Sequence, residues 1–138
     1  MTGPSSWGGS FRVCLPTADR VRAHAFYQAL GLPTPGDEIG SDGVPEPLTV
    51  VVGDRARVML IPTGGFGWVT AGREVAAPGV VECLLSIEAP TAGEVDELVA
   101  RVEAAGGEVV MTPRAQPWAY RATFADPDGH LWEVHVPV

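Results

Sequence analysis

The sequence predicts an α+β domain built from two successive strand–helix–strands modules, and three observations predict it. Two amphipathic helical segments each follow an alternating strand and each stop at glycine, at Gly31 and at Gly106-Gly107. About three further strands follow each helix, so the same order of elements is given twice. The 138 residues, 46% of them hydrophobic, suit one domain with a real core. Order alone also suits a ferredoxin-like domain, which mixes two helices with a sheet.

Residues 1–9 have no periodicity and are rich in turn formers, which predicts a loose tail containing Trp7. Phe11, Val13 and Leu15 then alternate with Arg12 and Cys14, the period of a strand. Thr17 or Asp19 caps a helix in which Val21, Ala25, Phe26 and Leu30 recur at helical spacing. Pro33 and Pro35 prevent its continuation, and residues 31–47 read as a loop with one short strand. Leu48 to Val52 and Arg57 to Ile61 form a hairpin around Gly53-Asp54. Pro62 to Pro78 is a Gly-rich connection carrying Phe66 and Trp68.

The second pass opens with a strand from Val80 to Ile87. Thr91 and Glu94 supply a capping box, and Val95, Leu98, Val99 and Val102 give the next helix its apolar stripe. Short strands follow at Glu108 to Met111, Trp118 to Ala125 and His130 to Val136, the last after a tight turn at residues 126–129. The domain therefore spans residues 10–138, with module one at 10–62, a connecting loop at 62–79 and module two at 80–138.

The formal net charge of −8 makes nucleic acid and anionic membrane surfaces poor partners, and an acidic surface favours a cationic small molecule. All nine basic residues are arginine, which reads as a composition effect. Two cysteines, Cys14 and Cys83, are too few for a disulfide scaffold and read as buried thiols. No leader and no apolar span is recognisable, so a cytoplasmic protein is expected.

Three stretches resemble the vicinal oxygen chelate superfamily of glyoxalases, bleomycin-resistance proteins and dioxygenases. They are residues 19–32 (DRVRAHAFYQALGL), 94–107 (EVDELVARVEAAGG) and, most specifically, 124–134 (FADPDGHLWEV), with 117–121 (PWAYR) similar to a common variant. The resemblance implies two βαβββ modules whose curved mixed sheets face a cleft, and commonly a homodimer. It also implies up to four metal ligands. Glu133 and Glu82 match two of those positions, whereas Arg12 and Met59 occupy the other two.

Two carboxylates with an arginine are a poor donor set for Zn, Ni, Fe or Mn, since a divalent transition metal needs about three protein ligands. No cofactor is therefore expected, and Arg12 is expected to neutralise the carboxylates. His135 shares the parity of Glu133 and is the one imidazole that could complete a metal site. His24 reads as exposed, and His130 as pointing with Trp132 away from the cleft. Phe66, Trp68, Trp118, Tyr120 and Arg121 read either as a ligand-stacking wall or as ordinary strand and loop residues.

Three functions remain open. One is a metal-free binder that sequesters a small organic molecule, cationic or aromatic, in the manner of antibiotic resistance. Another is an enzyme, glyoxalase-like or dioxygenase-like, in which Glu82 and Glu133 ligate a metal or one of them is the general base. The third is an interaction module that has kept the fold and lost its pocket.

Overall fold

The computed structural model describes residues 11–137. The tail expected at residues 1–9, with Trp7, lies outside the described residues. Module one runs β1 (Arg12–Thr17), α1 (Arg20–Ala29), β2 (Leu48–Val52) and β3 (Ala56–Pro62). A short helix α2 (Thr63–Val69) follows. Module two is β4 (Leu84–Glu88), α3 (Ala92–Ala104), β5 (Glu108–Gln116), β6 (Ala119–Ala125) and β7 (Leu131–Pro137).

The strands form two mixed sheets, ordered β1-β3-β2 and β4-β7-β6-β5. In each, the opening strand pairs in parallel with the module's last strand, and the remaining pairs are antiparallel. The doubled module is thus the observed architecture. Module one, however, lacks its first return strand, which is reduced to a single bridge between Ile39 and Pro45. Arg20 organises this loop instead: its guanidinium donates to Asp42 at 2.8 Å and to the carbonyls of Val44 and Pro45 at 3.2 and 2.7 Å.

Helices α1 and α3 lie on the apolar faces of the sheets and share one core. Ala23, Phe26, Tyr27 and Leu30 of α1 meet Val95, Val99 and Val102 of α3 over Leu48, Val50, Val58 and Leu60 of one sheet and Ala122, Phe124, Trp132 and Val134 of the other. The buried face of α1 is turned from the expected one, for Val21 and Ala25 are exposed while Ala23 and Tyr27 are buried. Asp19 is the N-cap, accepting from the Arg22 amide at 3.0 Å. Thr91 caps α3 and accepts from the Glu94 amide at 3.2 Å.

Other boundaries differ for local reasons. The strand expected from Val80 begins at Leu84, because its partner β7 begins at Leu131, directly opposite. Strand β5 runs past Met111 to Gln116, with one register shift between Val109 and Met111 and a second between Met111 and Arg114, where Pro113 has no amide hydrogen for the ladder. The connection at 62–79 contains α2, which closes through Ala71 at φ 59° and Gly72 at φ 76°.

The Asp-Pro-Asp-Gly turn joins the modules. Asp128 accepts from the Thr17 hydroxyl at 2.7 Å and the Ala18 amide at 2.9 Å. Asp126 accepts from the amides of Asp128 and His130, and from the Tyr27 hydroxyl. Trp132 Nε1 donates in turn to that hydroxyl at 3.3 Å. Tyr27 and Trp132 are buried and their ring centroids lie 5.9 Å apart, so the polar links run through the core.

Candidate functional site

The face of the second sheet opposite the core carries a polar row. Strand alternation puts Ser86, Glu133 and Thr123 side by side on β4, β7 and β6, with Arg121 and His135 in the next row. Arg121 Nε lies 3.4 Å from Glu133 Oε1, and the same guanidinium donates to Gln116 and Thr123, each at 3.2 Å. His135 Nδ1 is 3.4 Å from Glu133 Oε1 and 3.3 Å from Ser86 Oγ. Glu133 and Arg121 are both largely buried, at 16% and 17% side-chain exposure, so water screens their attraction poorly.

Arg121 therefore takes the neutralising role expected of Arg12. Arg12 is exposed and stands beside Arg57 on the first sheet, with Met59 one row further along the same face, opposite Cys14. Glu82 does not stand beside Glu133: it precedes β4, and Ser86 is the residue opposite Glu133. Glu82 lies at a bend two residues before β4 begins. The four family positions are thus divided between the two sheets and the approach to β4.

The second feature is a cavity of about 620 Å³ between the two modules. The edge strand β1 forms one wall through Val13 to Pro16. Leu85 of β4, Leu131 of β7, Phe66 of α2 and residues 73–83 also line it. Apolar side chains dominate the lining. Its charged groups are Glu74, Glu82 and Asp128 against Arg73, so the cavity carries an acidic excess. Asp128 already serves the module clamp, which leaves Glu74 and Glu82 facing whatever enters.

The candidate residues thus divide among three places. Glu133, Arg121 and His135 meet on the second sheet, and Glu82 and Phe66 line the cavity. Trp68 is 83% exposed on α2, and Trp118 is 63% exposed in the turn between β5 and β6. Tyr120 alternates onto the core face of β6, and its hydroxyl donates to Asp96 at 2.6 Å. A single aromatic wall formed by all of them is not what the fold builds. His24 is half-buried rather than exposed.

Cys14, Cys83 and His130 also line the cavity, and the sequence reading had placed them elsewhere. Cys83 is exposed and Cys14 half-buried, so neither is an inert core thiol. Although β7 alternation begins only at Leu131, His130 still belongs to the turn, where its Nε2 lies 2.7 Å from the Pro16 carbonyl and donates to it. The free edge of β1 was the missing signal, because strand alternation gives the two faces of a sheet and not its edges.

Asp126, Asp128 and His130 hold ligand atoms within 4.8 Å of one another, the one such group of three among the described residues. The carboxylate oxygens of Asp126 and Asp128 and the Nε2 of His130 are taken up by the clamp contacts described above, which explains the cluster without an ion. Burial pushes the Asp126 carboxyl up, while the His130 imidazole and the Tyr27 hydroxyl pull it back in part.

A sequence model of the glyoxalase/bleomycin resistance protein/dioxygenase superfamily matches residues 11–134. The chain belongs to this superfamily. Among solved structures, a hypothetical protein of S. aureus is 28% identical, with a TM-score of 0.81 over 97% of this chain and 95% of that one. A superfamily enzyme of Burkholderia phytofirmans PsJN is 22% identical, with a TM-score of 0.72 over 92% and 97%. TnmS3, an antibiotic binding protein of Streptomyces sp. CB03234, is 23% identical, with a TM-score of 0.66 over 98% and 100%. No curated protein sequence matches. Superfamily membership accounts for the doubled module. Among the described residues, no helix is long and apolar enough to cross a membrane.

Proposed function

We propose that this superfamily member is a metal-free binding protein for a small organic molecule held in the cavity between its modules. The observation that carries the reading is the cavity itself. Its volume of about 620 Å³ lies in the size range of small-molecule sites, and its lining joins apolar surface to a few placed charges. Glu74 and Glu82 at the lining favour an apolar or aromatic ligand with a cationic group over an anionic one. TnmS3, a fold relative, is described as binding an antibiotic, and drug sequestration is the matching role here.

The donor chemistry supports the metal-free part of the reading. Glu133 already faces a permanent cation in Arg121, and a dication added there would be repelled by it. Arg12 and Met59 add no oxygen or imidazole ligand, and Glu82 stands on the cavity side. An enzymatic reading rests on Glu133 as a general base, with Arg121 and His135 holding its carboxylate. A cytoplasmic homodimer completes the proposal, and light scattering of the purified protein measures its oligomeric part.

Titration calorimetry with a panel of aromatic amines and matched aromatic carboxylates tests the binding, alongside elemental analysis of protein purified without chelator. One ligand per chain, a preference for the amines, and far less than one metal per chain are the expected results. Stoichiometric Zn, Ni, Fe or Mn would overturn the metal-free reading. Substrate turnover that disappears in Glu133→Gln would move the assignment to the enzyme.

A further inference from the structure

The chain has two cysteines, and both line the same cavity. Cys14 comes from β1 of module one and Cys83 from the run before β4 of module two, so each module contributes one cysteine to the lining. Both are free, and both have solvent access. A thiol that only fills a core has no need of either property. Among the described residues, neither cysteine gathers with two other metal-ligating side chains, so a chelated soft metal is disfavoured. What remains is a nucleophile beside an apolar chamber large enough for a drug-sized molecule.

We propose that the cavity captures soft carbon electrophiles that carry an apolar body, such as enones and their imide analogues, and that Cys83 and Cys14 are the nucleophiles. The inference rests on the binding reading above and names its ligand class. In the reaction the thiol sulfur bonds to the β-carbon of the electrophile. The electron pair of the carbon–carbon double bond moves toward the carbonyl as an enolate, and the proton leaving sulfur ends on the α-carbon. The product is the sum of the reactants, so no oxidant is consumed and no group departs.

The surroundings predict which reagents react quickly. Apolar side chains dominate the lining around both cysteines, with Glu74 and Glu82 among its few charged groups. A small polar electrophile therefore gains nothing from the site. One with an apolar body is held beside the sulfur, and proximity supplies the rate. Selectivity for the body of the reagent, rather than a hyper-reactive thiol, is the signature of the proposal.

The experiment compares pyrenyl maleimide with methyl maleimide on the full chain, each rate divided by its rate with glutathione. Intact mass and peptide mapping assign the adducts. The proposal expects the pyrenyl reagent to be favoured by about tenfold or more, chiefly at Cys83. Excess pyrenyl succinimide, the saturated analogue that cannot add, should remove the advantage, and Cys83→Ser should divert the adduct to Cys14. Fluorescence titration with the succinimide separates the two ways to fail. If it binds and the maleimide gains no rate, the thiol role is overturned while the binding reading stands. If it neither binds nor competes, both are overturned.

Discussion

Gly107 shows how closely single residues are set in this core. A Cβ built on it would lie 2.6 Å from Phe26 Cε2, 2.8 Å from Val102 Cγ1 and 2.9 Å from the Ala125 carbonyl oxygen. The last of these is backbone and cannot step aside. Gly107→Ala should therefore cost about 1–3 kcal/mol in urea unfolding, an overpacking penalty paid where α3 meets β6. Tyr27 gives a second test, through pH. Its hydroxyl is buried beside the Asp126 carboxylate, and burial, then that charge, hold its pKa well above the usual tyrosine range. The fold thus favours the neutral phenol. Stability from this source is complete below about pH 10 and is lost as pH climbs toward the higher native value. Tyr27→Phe should lower stability near neutrality by about 1–3 kcal/mol, because Asp126 and Trp132 Nε1 lose their partner. It should also flatten the alkaline slope of the denaturation midpoint, and an unchanged slope would remove Tyr27 as the titrating group.

At the scale of elements, α2 is the least expected piece. Glycines at 64, 65 and 67 within seven residues oppose helix formation by roughly 1 kcal/mol each relative to alanine. The segment holds because it packs on β1 and β3, with the Thr63 hydroxyl donating to the Thr17 carbonyl at 3.2 Å. A Cβ at Gly67 meets nothing within 4 Å. Gly67→Ala should thus raise stability by about 0.5–1 kcal/mol, read from the thermal midpoint, while Thr91→Ala should lower it by about 1 kcal/mol through the lost α3 cap. These elements also show what the sequence can and cannot carry. The caps at Asp19 and Thr91 and the alternation around Glu133 are local patterns, and they were legible. Helix α2 and the pinned loop under Arg20 depend on contacts distant in sequence, which no window of residues displays. The site was half legible for the same reason. Parity put Glu133 and His135 on one face, but Arg121 as the partner, and Ser86 rather than Glu82 beside it, required the strand register.

For the whole molecule, the turn at 126–130 both joins the modules and shapes the cavity. Asp128, Gly129, His130 and Leu131 all line the chamber, while Asp128 and His130 grip the end of β1. The clamp thus ties one wall of the cavity to the turn that lines it. Thr17 is nearly inaccessible, at 2% exposure, so removing Asp128 leaves its buried hydroxyl only the longer contact to the Asp19 carbonyl, at 3.3 Å. Asp128→Ala should cost about 1–3 kcal/mol on that ground alone, measured by urea unfolding. It should also weaken capture of an aromatic amine more than Asp128→Asn, which keeps an acceptor for Thr17 at the same position. Equal affinity for both variants would mean that the cavity is held by the shared core of α1 and α3 without help from the turn. A loss confined to the alanine variant would tie binding to the closure of one module on the other.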